Sequence, residues 1–177
     1  MLVIENMLES DVAAVRALEE ATFSSTWQEG AFLNELKNNP CAHYIVLRQP
    51  DGSVAGYAGF WLLLDEVHVT AIAVAPELRG SGAGKRLLYS LLCRARRNSA
   101  KWATLEVRQD NPAAQKLYRR FGFAKVGTRK AYYESKIDGW IMWAGNLLST
   151  SYTDRLRRII EPWPQALAEL EGVVVES

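Results

Sequence analysis

The sequence predicts an α/β fold, a mixed α+β sheet with helices on both faces, on three observations. Residues 43–48, 54–64 and 67–74 are three strand-like runs separated by short breaks, which predicts an antiparallel meander. Residues 84–98 carry Leu87, Leu88, Leu91, Leu92 and Ala95 at helical spacing, a helix with one strongly apolar face. Residues 102–107 return to the sheet after that helix, so this strand runs parallel to 67–74.

The remaining elements follow from local signals. Leu2-Val3-Ile4 is a short strand, and Ser10 or Asp11 caps a helix that places Val12, Val15 and Leu18 on one face. Thr26-Trp27-Gln28-Glu29 has the spacing of a capping box. It predicts a second helix, with Phe32, Leu33 and Leu36 inward, that ends near Asn38-Asn39-Pro40. Pro50-Asp51-Gly52 is a turn and Asp65-Glu66 a break. Asn111-Pro112 opens a short helix, with Asn111 as cap and Pro112 at the first helical position, ending around 120–123. Residues 126–129 and 140–147 are expected as a closing pair of strands. Residues 152–160 and 165–170 are expected as helical pieces on either side of Pro162-Trp163-Pro164. The expected organisation is one domain over 1–147 with a C-terminal appendage over 148–177.

Between the third strand of the meander and the apolar helix lies Val74-Ala75-Pro76-Glu77-Leu78-Arg79-Gly80-Ser81-Gly82-Ala83-Gly84-Lys85. Three alternating glycines let the backbone turn tightly and a ligand approach closely. The positive end of the following helix points at the same place, which makes the loop an anion site. It is not a P-loop, because Gly84-Lys85 is followed by Arg86 and position 79 is arginine. It is not the dinucleotide fingerprint either, because the spacing is G-x-G-x-G and follows a meander.

Composition bounds the function. The 177 residues are 49% hydrophobic and 23% charged, which is ordinary for one globular domain. The formal net charge of +1 argues against nucleic acid as main partner. Lys85, Arg86, Arg94, Arg96, Arg97 and Lys101 cluster in and after the loop, as a solvated helix face or as an attractor for a phosphorylated ligand. Cys41 and Cys93 have neither metal nor redox spacing, so reduced thiols and a cytoplasmic location are expected, with no metal. The N-terminus lacks signal-peptide character, and no apolar run reaches membrane-spanning length.

Arg79-Gly80-Ser81-Gly82-Ala83-Gly84 matches the Q/R-x-x-G-x-G/A loop of the GCN5-related N-acetyltransferases. Ile72-Ala73-Val74-Ala75-Pro76 and the order of elements resemble that superfamily as well, over roughly residues 1–145. The resemblance implies acetyl-CoA as co-substrate. Amides of Arg79, Gly80, Ser81, Gly82, Ala83, Gly84 and Lys85 would bind its pyrophosphate, and backbone groups of Ile72, Ala73 and Val74 its pantetheine arm. A splayed neighbouring strand, Leu105 to Val107, would open the thioester slot. Leu105-Glu106-Val107-Arg108, Asn111, Ala113-Ala114, Leu117-Tyr118, Phe121-Gly122-Phe123 and Arg129-Lys130-Ala131-Tyr132-Tyr133 resemble the branch that acetylates protein N-termini. Within it they are most similar to the bacterial enzymes that act on the N-terminal alanine of ribosomal protein S18.

Roles follow from that resemblance. Glu106 is expected as general base, directly or through a water; alternatively it is a surface carboxylate or one paired with Arg108. Tyr118 is expected as general acid at the CoA sulfur, or as a core aromatic, and a tyrosine can be both. Asn111 contacts the CoA arm, or only caps its helix. Tyr132 and Tyr133 clamp the peptide backbone, or one of the two packs in the core, because adjacent strand residues face opposite ways. His43 and His68 are taken as structural. The chain departs from the branch's pattern where Glu134 replaces a proline and Asp138-Gly139-Trp140 replaces Glu-Asp-Ala. Two alternatives to S18 acetylation stay open. One is transfer to another protein N-terminus, a lysine or a small amine; the other is a non-catalytic CoA-binding or scaffold protein.

Overall fold

Seven strands and the helices between them set the architecture. The structure, a computed structural model, describes residues 2–163 and 166–170. The strands are β1 (Val3–Asn6), β2 (Ala42–Arg48), β3 (Val54–Leu63), β4 (Glu66–Val74), β5 (Trp102–Arg108), β6 (Ala124–Tyr133) and β7 (Ile137–Ala144). They form one mixed sheet in the order β1-β2-β3-β4-β5-β7-β6. The helices are α1 (Val12–Thr22), α2 (Ala31–Asn38), α3 (Ala83–Arg97), α4 (Pro112–Arg120), α5 (Thr150–Ile160) and α6 (Leu167–Leu170). No helix among the described residues is long and apolar enough to cross a membrane.

The chain divides into two units. The first comprises the residues up to Trp61 together with Thr70–Leu91. Here β1 pairs antiparallel with β2, and β2 with β3. Val12, Val15 and Leu18 of α1 join Phe32 of α2, Tyr44, Val46 and Tyr57 in one buried cluster. Trp27 stacks on Phe32 at 4.9 Å between ring centroids. The Trp27 N–H donates to the Glu19 carboxylate at 3.3 Å, and the Tyr57 hydroxyl donates to it at 3.5 Å. Burial holds the Glu19 carboxyl above its ordinary range. This packing displaces the capping box expected at Thr26. Helix α2 instead starts after Gly30, whose φ of +79° suits glycine. At the other end Arg48 bridges Glu5 and the buried Asp11 at 2.8 and 2.9 Å, and Asp11 also accepts the Leu8 N–H. Asp11 therefore serves the turn before α1, not a side-chain cap on α1.

The second unit comprises Leu62–Val69 and the chain from Leu92 onward. Glu66–His68 of β4 pair parallel with Trp102–Thr104 of β5, three residue pairs in all, as the strand–helix–strand order requires. Strands β5 and β7, and β7 and β6, pair antiparallel. The closing strands are offset from expectation: 126–129 extends to Ala124–Tyr133, and 140–147 shifts to Ile137–Ala144. The residues between them form a tight turn, where Glu134 and Ser135 both take positive φ and the Lys136 N–H donates to the Tyr133 carbonyl. Leu64, expected at the end of β3, is 97% exposed at φ +58° and belongs to the turn before β4.

Helix α5 starts at Thr150, capped by Ser149, and buries Tyr152, Leu156, Ile159 and Ile160. Its Tyr152 hydroxyl donates to the Phe121 carbonyl at 2.8 Å. The end of α3 answers the question posed by its arginines. Arg96 is 2% exposed and donates to the Leu147 carbonyl and the Thr153 hydroxyl, and Arg97 donates to carbonyls of α6. Arg96 forms neither a solvated face nor a ligand attractor; it and the exposed Arg97 anchor the C-terminal helices. Of the expected 165–170 segment, Gln165 lies outside the described residues. Leu156→Ala removes a fully buried side chain, and unfolding in urea should show a loss of about 3 kcal/mol. A loss under about 0.5 kcal/mol, the size of an ordinary surface change, would contradict the docking of α5.

Candidate active site

The glycine loop lies wholly in the first unit. After β4 the backbone makes a 3-10 turn over Pro76–Leu78, and α3 begins at Ala83, one residue earlier than expected. Gly80 and Gly82 have φ of +78° and +94°, a region that L side chains rarely adopt. A Cβ on Gly80 would meet nothing within 4 Å, so backbone conformation and not crowding selects glycine there. The Ser81 hydroxyl donates to the Leu78 carbonyl at 2.6 Å, and the Arg86 N–H donates to the Gly82 carbonyl at 2.9 Å. Gly84 sits in the first turn of α3, where N–H groups have no intrahelical acceptor. Ala73 is buried, while Ile72 and Val74 on either side of it are half-buried. The Arg79 side chain reaches back to the Val74 carbonyl at 3.4 Å.

The candidate catalytic residues lie in the second unit. Glu106 is flanked on β5 by Leu105 and Val107, which are 1% and 5% exposed, and its own side chain is 14% exposed. The partner expected for it as an alternative, Arg108, is engaged elsewhere: it pairs with Asp110 at 2.9 Å and Glu134 at 2.6 Å. Glu106 pairs instead with Arg129 of β6 at 3.1 Å. The strand order explains how. Arg108, Gly139 and Arg129 occupy one row across β5, β7 and β6, and Glu106, Ile141 and Gly127 the next. Arg129 thus reaches diagonally from its row to Glu106 in the next. The Arg129 guanidinium also lies 5.0 Å from the centre of the Tyr132 ring.

Tyr132 and Tyr133 do not face opposite ways. Between Arg129 and Tyr133, β6 advances four residues while β7 moves only from Gly139 to Ile137. This bulge, with Ala131 at φ +48°, brings the two rings into an edge contact at 5.0 Å. Both rings lie against Gly139, where a Cβ would come within 3.1 Å of Tyr132 and 3.2 Å of Tyr133. The glycine that departs from the N-terminal acetyltransferase pattern is thus what admits both rings. Asp138, next to it, accepts from the Ala131 N–H and from Lys130, each at 2.9 Å, and fixes the bulge. A hydrogen bond to Glu106 raises the Tyr132 hydroxyl above its ordinary range. Burial, helped by the nearby Glu106 charge, pushes Tyr133 up to about 12.

Tyr118 of α4 is held well above the ordinary tyrosine range, first by burial and then by Tyr133, so its hydroxyl stays protonated. Its ring packs on Phe123 at 6.0 Å, so the apolar contacts of a core aromatic accompany a protonated hydroxyl. Asn111 caps α4 by accepting the Ala114 N–H at 3.0 Å. Gln115 ties α4 to the end of β5 through the Arg108 and Gln109 carbonyls at 2.9 and 3.0 Å. His43 stacks on Phe60 at 4.8 Å. Sequence reasoning missed Arg129, Gly139 and the Arg108–Glu134 pair. The departures at Glu134 and Gly139 were visible as signals, but not the partners they serve, because those are set by the register of β6 on β7.

A family model described as "Acetyltransferase (GNAT) family" matches residues 12–123. The chain is 36% identical over 133 residues to a [ribosomal protein bS18]-alanine N-acetyltransferase of Haemophilus ducreyi, covering 73% of this chain and 88% of that one. It is 38% identical over 143 residues to the N-alpha-acetyltransferase RimI of Mycobacterium tuberculosis, covering 77% and 87%. Among solved structures it is similar to the ribosomal-protein-S18-alanine N-acetyltransferase from Escherichia coli. There the TM-score is 0.76 and the identity 28%, over 82% of this chain and 94% of that one.

Raised phenol ionisations have a consequence in alkali. The folded chain holds the Tyr133 proton to about 12, whereas an unfolded tyrosine releases it near 10. This contribution to stability is complete below pH ~10 and is lost as pH rises through ~12. Denaturant unfolding measured across that range should show the loss, and Tyr133→Phe should make it shallower while the other raised tyrosines keep their share. An identical alkaline profile in the variant would contradict the assignment.

Proposed function

The chain belongs to the acetyltransferase (GNAT) family, and from that premise we propose that it transfers the acetyl group of acetyl-CoA to the N-terminal alanine of ribosomal protein S18. Acetyl-CoA supplies the acyl thioester. The observation that carries the reading is Glu106, a carboxylate on an otherwise buried stretch of β5, hydrogen-bonded to Tyr132 and ion-paired with Arg129. The names of the similar proteins support the choice of substrate.

The chemistry sets three requirements. The amine must lose a proton to attack, the developing oxyanion needs donors, and the departing thiolate needs a proton or a strong hydrogen bond. An α-amine ionises near 7.7–8.0, whereas a lysine side chain does so near 10.4, so a single carboxylate is a sufficient base for an N-terminus. Glu106 takes the amine proton, directly or through a water. Tyr118, which keeps its proton, donates to the leaving sulfur. Tyr132 and Tyr133, brought together by the bulge, present two phenols to the peptide backbone. Amides of the 79–85 loop at the N-terminus of α3 take the pyrophosphate of the co-substrate, and Gly80 and Gly82 supply the positive-φ backbone this needs. Backbone groups of Ile72–Val74 and the Asn111 side chain are assigned to the pantetheine arm.

The hairpin supports a second reading, transfer to a different protein N-terminus. Glu134 is held by Arg108 and Gly139 lies under both tyrosines, and both positions depart from the pattern expected of S18-modifying enzymes. The peptide wall is therefore built differently even where the base and acid are the same.

Glu106→Gln should lower turnover about a hundredfold while acetyl-CoA binding is retained, as followed by thiol release and by calorimetry; unchanged turnover removes Glu106 as base. Gly82→Val forces a β-branched residue to φ +94° and should abolish acetyl-CoA binding. Mass spectrometry after incubation with a panel of N-terminal peptides decides the substrate. Acetylation of the S18 peptide supports the first reading, and its sparing while another peptide is modified supports the second.

A further inference from the structure

We propose that the solvent face shared by α4 and α5 docks the phosphate backbone of RNA. Several cations of this near-neutral chain are matched by carboxylates: Arg16 with Glu20, Lys37 with Glu9, Arg48 with Glu5 and Asp11, Arg108 with Asp110 and Glu134, Arg129 with Glu106, Lys130 with Asp138, and Arg157 with Asp154. Lys116, Arg119, Arg120, Arg155 and Arg158 form a basic cluster instead, with the Arg119 guanidinium 5.5 Å from the centre of the Trp140 ring. No ion pair with a carboxylate is found for any of them among the described residues.

The five belong to one surface. Lys116, Arg119 and Arg120 are spaced i, i+3 and i+4 on the exposed side of α4, a helix without a single acidic residue. The Arg155 guanidinium donates to the Arg120 carbonyl at 3.3 Å, and its Nε lies 3.3 Å from where a Gly122 Cβ would stand. The Tyr152–Phe121 hydrogen bond locks the two helices at this junction. Arg158 follows Arg155 by one helical turn. The acidic residues of this edge are Asp154, already held by Arg157, and Glu161 at the end of α5.

Helix-dipole compensation accounts for a cation in the last turn of each helix. It does not account for Lys116 or Arg155, nor for placing like charges one turn apart, which destabilises a helix. Such a repelling array is relieved by an anion with several regularly spaced charges. Guanidinium forks suit phosphate oxygens. The exposed aromatic side chains among the described residues, Phe23, Trp102, Tyr132 and Trp143, lie on other segments. Base stacking is therefore not the mode, and the face reads backbone charge without sequence preference. The net charge of +1 does not speak against this face, because it sums the whole chain while these five cations share one surface. The choice of RNA among polyanions rests on the proposed ribosomal substrate; the charge argument does not.

The test is fluorescence anisotropy of the full chain with a labelled RNA duplex of about 20 base pairs, between about 50 and 200 mM KCl and without acetyl-CoA. The expected slope of log affinity against log salt is about −4, and Arg120→Glu/Arg155→Glu/Arg158→Glu should cut affinity at least tenfold and reduce the slope to about −1. Acetylation of a free peptide should be unchanged in that variant; if it fails to fold, Arg120→Gln/Arg158→Gln takes its place with a smaller loss. RNA affinity equal in wild type and variant overturns the proposal, as does binding to phosphatidylglycerol vesicles or polyglutamate with none to RNA. Because the anisotropy measurement needs no acetyl transfer, failure of the proposed activity is read separately from failure of the docking face.

Discussion

A carboxylate placed between buried neighbours on a strand must find partners on its own face, or its desolvation works against the fold. Glu106 is in that position, with Leu105 and Val107 both buried. An unpartnered buried charge costs several kcal/mol. Its partners come from β6, not from its own strand. That supply depends on the order β5-β7-β6, which brings Arg129 within reach, and on the bulge that turns Tyr132 toward the carboxylate. The β7 residue directly beside Glu106, Ile141, can offer no side-chain hydrogen bond.

The same constraint explains why the hairpin tolerates backbone strain. Ala131, Glu134 and Ser135 all adopt positive φ, which costs non-glycine residues of order 1 kcal/mol each. Asp138 holds the first through the Ala131 N–H, and Arg108 holds Glu134. Strain stored here brings two adjacent phenol rings together on Gly139. The glycine loop of the first unit uses another means to the same kind of end: Gly80 and Gly82 reach positive φ without a Cβ penalty, so no ion pairs are needed to hold them.

Charge is distributed by the same logic of pairing. Arg96 and Arg97, which look like part of a basic run in the sequence, are spent on backbone carbonyls and a hydroxyl that fasten α5 and α6. Lys116, Arg120 and Arg158, unremarked in the sequence, face solvent. Burial decides the fate of Arg96, whose guanidinium inside the fold must be satisfied locally, whereas the exposed Arg97 reaches carbonyls of α6 from the surface.

Local rules sufficed for the order of elements, the meander, the parallel return of β5, the Asn111 cap and the glycine loop, because each depends on periodicity or on backbone freedom within a few residues. They also picked out Glu106, Tyr118, Tyr132 and Tyr133 through a family resemblance. They failed at Thr26, where packing of Trp27 outweighed a capping motif, and at the closing hairpin, where strand ends depend on a bulge. What only the tertiary structure decided is the partnership of Glu106 with Arg129, the joining of two adjacent tyrosines on Gly139, and the fate of each arginine. All three are set by register between strands or docking between helices, quantities that arise when distant segments meet and leave no periodic trace in the chain.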